Sequence, residues 1–273
     1  MLSYRHAFHA GGWADVLKHA VFTYCLDYAL KKPAPLYVLD THAGAGVYDL
    51  ADAMSAKTGE WQTGVGRLME NVTDPPALLR RYLGLLAGAT VYPGSPAIAV
   101  RLLRPGDRLD LVELHPTDFA ALRARFGDLK GARVSREDGL EVMQRRLPPH
   151  EQRGLVLIDP SYEIKTEYET VVTALVNAHR RWPNGTYILW YPVIERMRVA
   201  AMLAAMVGSG IRRQYRIELL MAADGARRGM TASGVLVVNP PWTLAAEAHD
   251  GLPWLVERLG AEAGFTAGWL VTE

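Results

Sequence analysis

Cysteine is almost missing from this chain: Cys25 is the only one in 273 residues. A lone thiol closes no intramolecular disulfide and furnishes no Cys-based zinc cluster. No apolar run approaches the roughly 18 residues that a membrane span needs, and the opening Met-Leu-Ser-Tyr-Arg-His lacks an apolar leader core. These absences predict a soluble, cytoplasmic protein with no membrane partner. Charge of one sign is missing too, since 30 basic and 29 acidic residues leave a formal net charge of +1. Neither a polycationic tail nor an acidic block advertises a partner. Lysine is scarce, supplying six of the 30 basic residues against 24 arginines. Arginine suits bidentate phosphate contact, but a GC-rich genome produces the same bias. The arginine pairs at 80–81, 145–146, 180–181, 212–213 and 227–228 are too scattered for sequence to assemble into a patch.

What is present is an ordinary globular composition, 49% hydrophobic and 22% charged, which excludes wholesale disorder and coiled coil. At about 100–200 residues per domain the length predicts one large domain, or one domain with an insertion. Apolar runs of strand length alternate with amphipathic helical stretches, the pattern of a mainly parallel sheet covered by helices. Strands are predicted at 36–40, 109–113, 132–134, 154–159 and 185–191, with a later pair at 215–221 and 233–239. Helices are predicted at about 13–31, 117–126, 138–147, 167–181, 195–209 and 252–260. The interval from about 48 to 108 exceeds what a simple crossover needs. Its part from 50 to 90 reads as a small helical insertion after the first strand.

The first strand runs into Leu39-Asp40-Thr41-His42-Ala43-Gly44-Ala45-Gly46. Glycines there let backbone pass close to a ligand at the carboxyl edge of a sheet. A dinucleotide fold wants a third glycine and an acid about 20 residues on, but Asp49 holds the third position and Glu113 comes only after the insertion. The spacing instead matches the first motif of class I S-adenosylmethionine-dependent methyltransferases, with a plain glycine-rich turn as the alternative. Glu113, ending the second strand, is suited to accept from ribose hydroxyls, or is simply a charged strand end. Asp138, before Gly139, is either an acceptor for the adenine amino group or a helix N-cap.

The fourth strand leads into Asp159-Pro160-Ser161-Tyr162. Enzymes that methylate amino groups on planar rings carry [Asp/Asn/Ser]-Pro-Pro-aromatic at this place. An exocyclic amino nitrogen conjugated into its ring is a poor nucleophile. Hydrogen bonds from it to a carboxylate and a backbone carbonyl favour pyramidalisation as the methyl donor approaches. Asp159 is the candidate acceptor and Tyr162 the candidate stacking face, although Ser161 departs from the second proline. The amino terminus gathers Tyr4, His6, His9, Asp15, Lys18 and His19 around Gly11-Gly12, a cluster suited to lie over a ligand pocket. The histidines lack tight helical pairing and no cysteine joins them, so no metal is predicted. Tyr92-Pro93-Gly94-Ser95-Pro96 reads as a rigid turn whose Ser95 hydroxyl can reach the cofactor.

Together these blocks, with Leu189-Trp-Tyr-Pro, Arg227-Arg-Gly-Met-Thr-Ala-Ser-Gly and Asn239-Pro-Pro-Trp, make the chain resemble one bacterial family over residues 1–271. That family is the J family of adenine-N6 methyltransferases acting on large-subunit ribosomal RNA. The resemblance implies an α/β, Rossmann-like class I methyltransferase using S-adenosyl-L-methionine and no metal. It implies a monomer acting on naked 23S ribosomal RNA. By position, Asp159 is the catalytic acceptor. Cofactor contacts fall to His19, His42, Ser95, Glu113, Asp138, Gly139 and Asp159, with Lys18 close by, and Tyr4 touches the target nucleotide. The rivals are a DNA adenine-N6 methyltransferase and a non-catalytic RNA-binding scaffold. Intact Asp159 and Tyr162 argue against the scaffold, and no separate DNA-reading domain is recognisable.

Overall fold

Helices cover both faces of a mixed eight-stranded sheet. The computed structural model describes residues 6–70, 72–226, 229–260 and 262–273; Tyr4, Arg227 and Arg228 lie outside them. A 3-10 turn at His6–Phe8 precedes α1 (Trp13–Leu30), β1 (Tyr37–Asp40) and β2 (Val47–Tyr48). The helices α2 (Ala53–Thr58), α3 (Glu60–Thr63), α4 (Val65–Met69) and α5 (Ala77–Leu86) then lead to β3 (Tyr92–Pro93). After α6 (Ser95–Leu102) come β4 (Arg108–Val112), α7 (Pro116–Phe126), β5 (Ala132–Ser135), α8 (Gly139–Arg146) and β6 (Gly154–Ile158). The chain continues through α9 (Glu167–Arg181), β7 (Thr186–Val193), α10 (Arg196–Gly208), β8 (Gln214–Leu220) and β9 (Ala232–Val238). It ends with α11 (Leu244–Leu259) and β10 (Gly264–Val271).

The sheet order is β10-β8-β9-β7-β6-β1-β4-β5. From β5 to β7 all neighbours are parallel, whereas β9 runs antiparallel between β7 and β8, and β10 pairs antiparallel with β8. Every residue of β1 and β6 is buried, as expected of strands sandwiched between helical layers. The chain leaves β1 toward β4 on one side and reaches β6 on the other, so the order reverses there. Ligands bind in the crevice outside the carboxyl ends of strands at such a switch point. Register makes this concrete, because Asp40 pairs with Leu111 of β4 and with Leu157 of β6. Glu113 and Asp159, each two residues further on, therefore emerge at the same edge as Asp40.

The helices α2–α5 lie between the two strands of a small ribbon, in which Val47 pairs with Pro93 and Tyr48 with Tyr92. Three elements depart from the sequence reading. Ser95-Pro96 opens α6 instead of a turn, because proline is tolerated in a first helical turn where its missing N–H is no loss. Helix α11 starts eight residues before the predicted 252 and runs through Pro253, its apolar face buried at Leu244, Ala248, Leu252 and Leu255. Strand β10 was hidden by its glycines and by the exposed residues of an edge strand. Among the described residues no helix is long and apolar enough to cross a membrane.

Candidate active site

A cavity of about 320 Å³ opens at the carboxyl edge of β1, β4 and β6. His19, His42, Ser95, Glu113, Asp138, Gly139 and Asp159 all line it, and so do His6, Lys18 and Thr41. Backbone approach shapes its wall. Gly44 sits at φ +59°, and a Cβ there would lie 2.3 Å from the Tyr48 hydroxyl. A Cβ on Gly139 would lie 1.9 Å from the Thr41 carbonyl oxygen, so only glycine lets the start of α8 rest against the loop after β1.

Asp138 is the N-cap of α8, its Oδ1 accepting from the backbone N–H groups of Leu140 (2.8 Å) and Glu141 (3.1 Å). The two readings of Asp138 are compatible, since Oδ2 takes no part in the cap and the residue lines the cavity. Glu113 accepts from the N–H of Gly44 at 2.8 Å and of His115 at 2.7 Å, one bond on each oxygen. Burial raises its pKa, and these two donors pull it back.

The catalytic candidate lies in a charged cluster. Lys18 places its Nζ 2.6 Å from Asp159 Oδ2 and 2.9 Å from Asp15 Oδ1, and the Asp159 side chain is only 13% exposed. Burial works against the Lys18 ammonium, but Asp15 and Asp159 outweigh it and raise its pKa. Burial likewise opposes charge on Asp15. The His6 imidazole bonded to it and the Lys18 ammonium prevail and hold it well below the usual carboxylate range. Asp159 is raised by burial, with Lys18 as the opposing influence. His6 Nε2 meets Asp15 Oδ2 at 2.9 Å, which brings the amino-terminal segment to the cavity. Helix α1 carries the sequence signal for this cluster: it buries Asp15, Lys18 and His19 among residues such as Val16, Leu17 and Val21.

Ser95 donates to Asp40 Oδ2 at 2.6 Å. Burial pushes the Asp40 carboxyl up to about 7, against the Ser95 hydrogen bond and with help from the nearby Asp159 charge. In the sequence Asp40 is marked only as the strand end that opens the Asp-x-x-x-Gly-x-Gly motif. Burial lowers His42 to about 4 and His19 to about 3, so both rings are neutral near pH 7. His19 Nδ1 lies 2.7 Å from the Tyr92 hydroxyl, itself 3.0 Å from that of Tyr82. Thr41 donates its single hydroxyl proton to the Leu157 carbonyl, so His42 Nδ1, 2.8 Å away, must donate to Thr41. This leaves His42 Nε2 as an acceptor.

Tyr162 departs from its expected role. It is 6% exposed and does not line the cavity. Its backbone adopts φ +54°, its hydroxyl donates to the Trp190 carbonyl at 2.8 Å, and its ring packs 4.5 Å from that of Tyr168. The hydroxyl and one ring neighbour thus belong to the core, so Tyr162 shapes the turn after Asp159 and offers no open stacking face. Tyr4 lies outside the described residues. His6, His9 and His19 go to three different partners, Asp15, Glu60 and Tyr92.

The sheet order, with β9 reversed and carboxylates at the switch point, is the Rossmann-like arrangement of class I methyltransferases. The family model described as Ribosomal RNA large subunit methyltransferase D, RlmJ, matches residues 33–271. The chain is 43% identical over 281 residues to Ribosomal RNA large subunit methyltransferase J of Escherichia coli (strain K12), covering 100% of both. It is 43% identical over 282 residues to the protein of that name from Haemophilus influenzae, again covering 100% of both. It superposes on the crystal structure of protein LPL1258 from Legionella pneumophila with a TM-score of 0.86 at 35% identity, over 95% of this chain and 98% of that one. The chain belongs to the family of large-subunit ribosomal RNA methyltransferases that these relatives represent.

Proposed function

We propose that the protein transfers a methyl group from S-adenosylmethionine to N6 of one adenine in 23S ribosomal RNA, presented as a base flipped from its stack. The observation that carries this reading is the Asp159 carboxylate, held by Lys18 at the switch point beside a cavity whose other groups suit the cofactor. Each oxygen of Glu113 accepts one backbone N–H, which leaves lone pairs for ribose hydroxyls. Asp138 Oδ2 is available to an adenine amino group, and His42 Nε2 to another donor. S-adenosylmethionine, when bound, supplies an electrophilic methyl carbon.

The chain's own residues do the rest. Asp159 Oδ1, the oxygen that Lys18 does not engage, accepts one hydrogen of the target amino group, and a carbonyl of the rigid Asp159-Pro160 turn accepts the other. Lys18 opposes the effect of burial on Asp159 and holds its Oδ2, so the acceptor is in place before the base arrives. His6 lines the same cavity, and Tyr4, two residues before it in the sequence, is assigned to the target nucleotide by the family resemblance alone.

Labelled S-adenosylmethionine incubated with unmodified large-subunit RNA, followed by mass mapping, tests the reading. One methylated adenine is expected, with strong preference over a DNA copy, because RNA recognition uses 2′-hydroxyls and loop shape. Equal methylation of the DNA copy overturns the RNA assignment. Asp159→Ala should cost at least about 100-fold in turnover, and near-normal turnover in the folded variant overturns the role of Asp159.

A further inference from the structure

At the opposite edge of the sheet, where the parallel strands begin, lies a second cleft of about 640 Å³. Its lining holds Lys31 and Lys32 after α1, Arg153 before β6, Arg213 before β8, and Trp242 after β9. Four cations and no carboxylate line it, in a chain whose 30 basic and 29 acidic residues nearly balance. The carboxylates nearest them, Asp107 by Arg153 and Glu273 by Arg213, lie outside the lining. Arg153 spends its guanidinium on the backbone carbonyls of Ala29 and Ala34. Burial and the neighbouring Arg104 lower its pKa, against the opposing charge of Asp107. Lys31 lies over the Tyr28 ring, 5.1 Å from its centroid. Arg213 has a carboxylate nearby, that of Glu273 at 3.8 Å, whose side chain is 88% exposed, so water screens the pair.

Trp242 is the second observation. It is 75% exposed and follows two prolines, each with its own φ locked by the ring. Asn239 anchors this segment from its other end, donating through Nδ2 to the carbonyls of Pro183 (2.7 Å) and Gly185 (2.9 Å). An indole held out to solvent beside a cleft lined by cations and no carboxylate is the arrangement that binds single-stranded nucleic acid. The ring takes a base face and the cations take phosphates.

We propose that this cleft is a second RNA-binding site, which stacks one unpaired base on Trp242 and holds the adjoining phosphates with Lys31, Lys32 and Arg213. The proposal rests on the RNA methyltransferase reading but concerns a different place. β6 alone, five residues long, separates the two edges by roughly 17 Å. The flipped adenine therefore cannot occupy both sites, and only an RNA that extends well beyond the target loop reaches the cleft.

The test uses the full chain with two RNAs, a short hairpin around the mapped adenine and a long unmodified large-subunit fragment. For Trp242→Ala, affinity for the long fragment should fall roughly tenfold, within the range for one stacked base, and Trp242→Phe should recover most of it. Lys31→Ala with Lys32→Ala should lower the salt slope of long-fragment binding by about 2. Affinity for S-adenosylhomocysteine, turnover at saturating RNA and binding of the short hairpin should stay at wild-type values. Wild-type affinity of the folded variants for the long fragment overturns the second site alone. Binding to anionic vesicles that falls with these variants, while RNA binding does not, also overturns it. A wild-type chain that binds and methylates no RNA overturns the proposed function as well.

Discussion

Lys18 stands between two carboxylates, and each of the three groups depends on the others for its charge. Replacing it with methionine leaves Asp15 and Asp159 facing each other's side of the cavity without their shared cation. Breaking a buried pair in this way costs about 3–5 kcal/mol, and urea unfolding of Lys18→Met should show a loss of that order. Asp40 behaves differently because its partners are hydrogen-bond donors rather than cations. Its pKa in the folded chain is pushed up to about 7, from the ordinary 3.8. The folded state therefore binds the proton more tightly than the unfolded state between those values, and Asp40 lowers stability as pH rises from about 4 to 7. Asp40→Asn should remove this slope, so that the variant gains on the wild type by a few kcal/mol across the interval, on the order of 1.36 per pKa unit. Equal slopes for the two proteins would refute the assignment. For Tyr162, truncation to alanine should cost about 3–5 kcal/mol, as for a buried aromatic. Tyr162→Phe should cost about 0.5–1.5 kcal/mol, for the lost bond to the Trp190 carbonyl. Were Tyr162 an open stacking face, Tyr162→Ala would instead lose activity at unchanged melting temperature.

Helix α8 and the loop after β1 are elements whose positions depend on the absence of a single atom. Gly139 begins α8 where a Cβ would overlap the Thr41 carbonyl, and Asp138 caps the same turn. Gly139→Ala must push the helix away from the loop, at a cost of about 1–3 kcal/mol for overpacking, and the displaced Asp138 should weaken S-adenosylhomocysteine binding with it. Calorimetry and thermal unfolding should move together; a melting change with unchanged affinity would detach Asp138 from the cofactor. At this scale the sequence was legible where local rules act alone. α1, α7, α8, α9 and α10 fall close to their predicted bounds because their apolar spacing is local, as is the Asp138 cap of α8. α6 and the first half of α11 were missed because burial against neighbours overrides the turn and breaker signals of Ser95-Pro96 and Pro253, and β10 because an edge strand with glycines and exposed residues carries little apolar signal.

For the whole molecule, ligand binding couples to stability through the cavity at the switch point. A cofactor product present at 100 times its dissociation constant should raise stability by about 2.7 kcal/mol. S-adenosylhomocysteine should therefore raise the melting temperature, and NAD should not. A shift with NAD would return the first motif to the dinucleotide reading. Methyl transfer should fall as salt rises, because phosphate contacts release counterions.

The sequence by itself determined the strand-end chemistry. Asp40, Glu113 and Asp159 each close an apolar run, and parallel strands carry such ends to one edge whatever the details of packing. Tertiary structure alone decided which aromatic and which proline motif faces that edge. Asn239-Pro-Pro-Trp242 fits the [Asp/Asn/Ser]-Pro-Pro-aromatic pattern better than Asp159-Pro-Ser-Tyr162 does, yet β9 runs antiparallel to β7. Reversal of that one strand puts Asn239 at the far edge of the sheet from the cavity, where it binds the Pro183 and Gly185 carbonyls. The direction of a strand is set by its partners, through ladder hydrogen bonds and the burial of both its faces, and none of that is written in four residues.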